Sequence, residues 1–353
     1  MSINSITYNF DDLLSTTWMN YRSQLYDNIF NACPFFYWLH ANGRKRVEDG
    51  GERIVIPLEY GKNTTIKSMT SGYDVIDTTP QEIMTAAYYT WKEIAGSTNI
   101  SNKELAQNQG KHKILDLLQK LANNTEMSFT EVVEQMLVGA ITAGNGGSDL
   151  TPINLLIKEL PTTSTTIGGI NQATYTWWAN QYCRSTATTY EMFIKEIAHL
   201  YNMCSRGGSK NGKRKSPDLI LCDQYYYETY LGAGRAKGQI MLVNEPVANL
   251  GFGGAKYLGA TLMWDEYVPD TYTGTANTNP ATYSPTYSSS LFINSEFLEF
   301  VVCKGQDFTV GPFIQPENQK AKTSILYLMG EICCSNRSKQ GSHSKVPLTT
   351  IVS

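Results

Sequence analysis

Gly259-Ala-Thr-Leu-Met-Trp-Asp-Glu-Tyr-Val-Pro269 is the stretch on which the interpretation of this chain turns. It is followed downstream by Ser290-Leu-Phe-Ile-Asn-Ser295. The chain then passes through Phe313-Ile-Gln-Pro-Glu-Asn-Gln319 and Ile332-Cys-Cys-Ser-Asn-Arg-Ser-Lys-Gln-Gly341. Asp265 and Glu266 could pose as a catalytic carboxylate pair. Adjacent strand residues point to opposite sides, however, so the two do not converge on one substrate.

Upstream of that stretch, Pro217-Asp-Leu-Ile-Leu-Cys222 has the pattern of a short buried strand, and Asp223 is placed to cap a Tyr-rich helix reaching Leu231. Thr188-Thr-Tyr-Glu191 forms a capping box ahead of a helix whose apolar face is Phe193, Ile194, Ile197, Ala198 and Tyr201, ended by Gly207-Gly208. Helix, strand and helix in this order indicate an α/β subdomain. Ile167-Gly-Gly-Ile-Asn-Gln-Ala-Thr-Tyr-Thr-Trp-Trp-Ala-Asn180 lies before it, and Gly144-Asn-Gly-Gly147 marks a boundary.

Further towards the start, Ile114, Leu117, Leu118 and Leu121 form one helical stripe, and Val132, Val133, Met136, Leu137 and Ala140 form another. Ser128 and Glu131 make a capping box that argues for a break between them. Residues 52–60 and 86–94 have strand patterns, with Pro57 favouring an edge position. The Gly-, Thr-, Ser- and Asp-rich stretch joining them is too long for an ordinary connection. Together they form an extended two-stranded loop over residues 47–98. An isolated hairpin is marginal in water, so this one needs a neighbour to lie on. Pro34 is expected to interrupt any helix among the aromatics between Leu13 and Phe36.

Composition narrows the function classes. Of 353 residues 17% are charged, fewer than usual, while Thr, Ser, Asn and Tyr are plentiful, which suits a large protein contact area. The net charge of −3 does not suit a protein built to grip phosphates. No signal peptide is evident, and no apolar run is long enough to span a bilayer. The seven cysteines are irregularly spaced and form no Cys-x-x-Cys pair, so reduced thiols are expected. His40, His112, His199 and His343 are scattered. The glycine-rich segments 232–238 and 251–254 lack the strand, helix and Gly-Lys-Ser/Thr context of a phosphate loop and are expected to be flexible. Arg206, Lys210, Lys213, Arg214 and Lys215 make a basic loop whose simplest account is solvation. No catalytic, cofactor or metal residue is assigned, and a soluble enzyme has nothing positive in its favour.

Taken in order and spacing, segments 167–180, 217–230, 259–269 and 313–341 resemble tailed-bacteriophage major capsid proteins of the Hong Kong 97-type fold. The resemblance implies an α+β chain. Its parts are an N-terminal arm (1–46), the extended loop (47–98), a peripheral domain with a long spine helix (99–149) and an α/β axial domain (150–290). Return strands and a tail (291–353) complete it. It also implies one unbroken spine helix from Lys111 to Val138, roughly 40 Å long at ~1.5 Å per residue. The implied partners are copies of the same chain, as hexamers and pentamers of an icosahedral shell around double-stranded phage DNA. A separate scaffolding protein, a portal and decoration proteins are implied too. The expected location is the virion, assembled in the bacterial host cytoplasm. Residues expected at inter-subunit contacts are Tyr60, Lys62, Lys67, Tyr73, Tyr89 and Trp91. Some relatives cross-link Lys to Asn, but no motif here supports that role for Lys62 or Lys67. A cellular encapsulin-like nanocompartment shell of the same fold is the alternative.

Overall fold

Pro34 opens a helix instead of interrupting one. The computed structural model describes residues 33–70, 72–107, 117–139, 148–162, 164–207, 215–236, 255–268, 287–317 and 319–347. Helix α1 (Pro34–Ala41) carries the proline in its first turn. There the missing N–H would have had no intrahelical acceptor, and the fixed φ suits the helix.

Strand β1 (Lys45–Glu48) leads to the antiparallel pair β2 (Ile54–Glu59) and β3 (Met84–Tyr89), in register from Ile54↔Tyr89 to Glu59↔Met84. Alternation along β2 buries Ile54, Ile56 and Leu58 and turns Val55, Pro57 and Glu59 outward. The strand expected over 86–94 is divided, since β3 stops at Tyr89 and β4 (Lys92–Ser101) starts anew, followed by α2 (Asn102–Gln107).

The spine helix α3 (Leu117–Val138) runs unbroken through residues 123–128. The capping-box break at Ser128 and Glu131 therefore does not occur. Phe129, Val133, Leu137 and Val138 are buried along the helix, and the Thr125 and Thr130 hydroxyls donate to the carbonyls of Leu121 (2.9 Å) and Glu126 (3.0 Å). Burial of one face outweighs a local capping preference. Residues 111–116, the expected start, lie outside the described residues.

Next come the short α4 (Ile153–Leu156), the hairpin β5 (Thr166–Ile167) and β6 (Ile170–Asn171), and a 3₁₀ turn at Thr176–Trp178. Strand β7 (Gln181–Arg184), α5 (Tyr190–Cys204), β8 (Leu219–Cys222) and α6 (Gln224–Ala236) follow. The remaining strands are β9 (Ala255–Tyr257), β10 (Ala260–Trp264), β11 (Tyr287–Ile293), β12 (Leu298–Cys303), β13 (Thr309–Val310), β14 (Ala321–Cys334) and β15 (Gly341–Pro347). Thr189, not Thr188, caps α5, its hydroxyl accepting from Met192 N at 3.4 Å. Asp223 caps α6 as expected, accepting from Tyr226 N at 2.7 Å. That helix continues past Leu231, so residues 232–236 are helical and not a loop. Residues 251–254, 144–147, 208–214 of the basic loop and 269–286 lie outside the described residues.

The described residues form two compact units. One comprises residues 95–130 and 308–327. Within it β13 pairs antiparallel with β14, Thr309↔Tyr327 and Val310↔Leu326, and the Phe129 and Phe308 rings meet edge to face at 5.5 Å. The other is drawn from residues 32–94, 131–307 and 328–353. Its six-stranded sheet has the order β7-β15-β11-β8-β10-β9, with β8 parallel to β10 and antiparallel to β11. Helices α5 and α6 cover it, burying Phe193, Ile197, Leu200, Cys204, Tyr226 and Ala233 against Ile220, Leu262, Phe292 and Val346. At roughly 1.5–3 kcal/mol for each large apolar side chain, this layer is a principal source of the unit's stability. In the same unit β1 runs parallel to β12, Lys45↔Phe300 to Glu48↔Cys303.

Candidate inter-subunit surface

The loop between β2 and β3 begins at a tight neck. Tyr60 N and Gly61 N both donate to Ile83 O, at 3.0 and 3.3 Å. A Cβ on Gly61 would stand 2.7 Å from Glu82 O, so the strands approach here only because residue 61 has no side chain. The Tyr60 ring stacks on Trp177 at 5.1 Å. At the base, Tyr88 N donates to Gly168 O at 3.0 Å. Gly168 has φ +60°, and a Cβ there would lie 3.0 Å from the Ala87 methyl, so both the backbone and the space call for glycine.

Beyond the neck, local polar contacts hold the shape. Asn63 Oδ1 accepts from Thr65 N, and Asp77 Oδ1 accepts from Thr79 N, both at 2.9 Å. Hydrogen bonds from Thr79 hold the exposed Asp77 carboxyl below its ordinary value. Thr64 Oγ1 donates to Gln81 Oε1 at 2.9 Å, and Lys67 Nζ to Val75 O at 2.5 Å. The apolar side chains face solvent instead: Ile66 is 82% exposed, Tyr73 96% and Val75 81%, with Met69 and Ile76 also exposed. A projection stabilised by polar turns and presenting aliphatic and aromatic groups outward has the character of a contact surface.

The six expected contact residues divide. Lys62, Lys67 and Tyr73 are exposed on the projection. Tyr60 and Trp91 are half-buried, Trp91 donating its indole N–H to Gly51 O at 2.9 Å. Tyr89 is a correction. It is 5% exposed and its hydroxyl donates to Cys334 O at 2.9 Å, so it is a core residue of its own chain. Its neighbour Tyr88 is the one that faces outward, by strand alternation.

Other groupings join residues far apart in sequence. Arg337 is fully buried and donates to Leu156 O (2.7 Å), Trp178 O (3.2 Å), Gln172 Oε1 (3.0 Å) and Asn180 Oδ1 (3.3 Å). Segments 167–180 and 332–341 therefore converge on one guanidinium. Glu134 on α3 accepts from Phe35 N and Phe36 N, both at 2.8 Å, at the positive end of α1. Burial, and the charge of Asp265 beside it, push the Glu134 carboxyl well above the usual range, and burial raises Asp265 also. Burial likewise pushes Glu331 up to about 7, against hydrogen bonds from Thr151 and Ile332. Cys183, Glu196 and His343 meet on the six-stranded sheet. Spacing gives no signal for any of these groupings.

No family model and no curated protein matches the chain. Solved structures do. The capsid asymmetric unit of cyanophage A-1(L) matches with TM-score 0.67 at 10% identity, over 92% of this chain and 96% of that one. The holo-SrpI encapsulin complex from Synechococcus elongatus PCC 7942 matches with TM-score 0.59 at 9% identity, over 96% and 97%. The head structure of Helicobacter pylori bacteriophage KHP40 gives 0.54 at 9%, over 97% and 98%. The chain has the Hong Kong 97-type capsid fold, as the resemblance of its segments implies.

Proposed function

We propose that this protein is a major capsid subunit whose copies assemble as hexamers and pentamers into an icosahedral shell around double-stranded phage DNA. The observation that carries the proposal is the projection at residues 62–82, whose exposed Ile66, Tyr73, Val75 and Ile76 sit on a chain with a shell-protein fold. An apolar projection of this kind is covered when a neighbouring copy lies against it. Many such contacts, each modest, add up to a shell more stable than any one interface. Lys62, Lys67 and Tyr73 are the contact residues of this proposal, with Tyr60 and Trp91 bracing the base. A scaffolding protein, a portal and decoration proteins would be its partners, assembly would occur in the bacterial host cytoplasm, and the virion would be its location. Among the described residues no helix is long and apolar enough to cross a membrane.

The encapsulin match supports a second proposal, a nanocompartment shell enclosing protein cargo. Electron microscopy and sedimentation of the protein, expressed alone and with its neighbouring genes, test both. Hollow icosahedral particles or six-fold rings are expected, and the enclosed cargo, DNA or protein, separates the two proposals. A compact monomer under every condition would overturn both.

A further inference from the structure

The parallel strands β7 and β15 place Cys183 and His343 directly opposite each other. Residues in register on neighbouring strands project from the same face of a sheet. Helix α5 lies against that face and brings Glu196 onto the pair. One ligand atom from each of the three residues lies within 4.8 Å of the others. His343 is fully buried, its Nε2 is 3.2 Å from Glu196 Oε2, and its ring stacks on Phe193 at 5.9 Å. Its other nitrogen, Nδ1, is 2.8 Å from the hydroxyl of Tyr226, itself buried. A hydrogen bond on Nδ1 leaves Nε2 for the side of Glu196 and Cys183, the arrangement that orients a metal-ligating imidazole. Glu196 is fixed in turn by Ser185 Oγ at 2.6 Å and Thr186 N at 3.0 Å. Cys183 and Glu196 are only half-buried, which leaves an ion a path inward.

We propose that Cys183, Glu196 and His343 form a zinc-class metal site that ties β7, β15 and α5 together, with Tyr226 as a positioning residue. Thiolate, imidazole and carboxylate are the donors a borderline-soft divalent ion prefers, and calcium or magnesium would not select a thiol. Three protein ligands leave a fourth position for water. Binding is proton-balanced: the Cys183 thiol loses its proton to solvent as sulfur takes the metal. The neutral His343 ring carries its one proton on Nδ1 towards the Tyr226 oxygen so that Nε2 offers a lone pair, and the Glu196 carboxylate exchanges its contact with Nε2 for the metal. The site does not depend on shell assembly.

The test starts with tag-free protein purified without chelator, on which about one zinc per chain is expected by elemental analysis. After stripping, titration with cobalt(II) alone should produce visible ligand-field bands and a near-ultraviolet thiolate charge-transfer band. Cys183→Ala should abolish the charge-transfer band, while Cys303→Ala, which removes a thiol elsewhere, should leave it. Tyr226→Phe should keep the band but weaken affinity by about 10–100-fold. Zinc-free protein that also gives no cobalt bands would overturn the proposal, as would a charge-transfer band that survives Cys183→Ala. Should Cys183→Ala not fold, the wild-type stoichiometry and the Tyr226→Phe shift still decide.

Discussion

The projection at residues 62–82 and the six-stranded sheet solve opposite problems with the same amino acids. On the projection, polar groups bond to near neighbours in sequence, and Ile66, Tyr73 and Val75 face outward. In and around the sheet the apolar residues are inside, and polar groups such as Arg337 bond to partners 181 and 165 residues away. The lesson is a division of labour. The sheet makes the subunit stable by itself, whereas the projection contributes little until something covers it.

The sharpest way to break that comparison is Arg337→Ala. It removes four hydrogen bonds and leaves Gln172, Asn180 and two carbonyls buried without them. A loss of about 3–5 kcal/mol in denaturant unfolding is expected, with little rescue by lysine, which lacks the guanidinium fork. Glu331→Gln comes next and acts in the other direction. Because burial raises the folded carboxyl to about 7, its contribution is fully present below the unfolded value and is lost as pH rises through about 7. Glutamine can keep the bonds from Thr151 N and Ile332 N without the charge. The variant should therefore gain on the order of 2 kcal/mol at pH 8 relative to wild type, and none at pH 4, in paired urea titrations. Tyr60→Ala, which loses the stack on Trp177, should cost about 1 kcal/mol.

Smallest in stability, and most telling, are Ile66→Ser and Tyr73→Ser. Subunit stability should stay within about 0.5 kcal/mol while particle yield in sedimentation falls. Replacing residues 62–82 with Asn-Gly across the neck between Gly61 and Ile83 should leave a folded subunit that makes no stable shells. Normal shells from that variant would remove the projection from the proposed interface.

What could be read from sequence was local. The apolar run Leu219–Cys222 and the cap at Asp223 needed only neighbouring residues, and both are present. The extended pair β2 and β3 was visible from β-branched and aromatic patterning, although its second strand is displaced towards Met84. The spine helix exposes the limit of local rules: Ser128 and Glu131 argue for a break, and only burial of Phe129, Val133 and Leu137 explains its continuity. Tyr89 was misplaced because alternation along β3 fixes its side only once the register is known. Glu134 with Asp265, and Cys183 with His343, are brought together by topology, and no spacing within one segment announces them.

The placement of β15 has a consequence for how the protein is made. This strand lies inside the sheet, between β7 and β11, and its partners at residues 181–184 and 287–293 leave the ribosome before it does. The sheet cannot close until synthesis has passed residue 347, so earlier segments wait as an open edge. A chain cut short would keep that edge exposed. Closure of the sheet is thus set by the order of synthesis, because β15 follows both strands it joins.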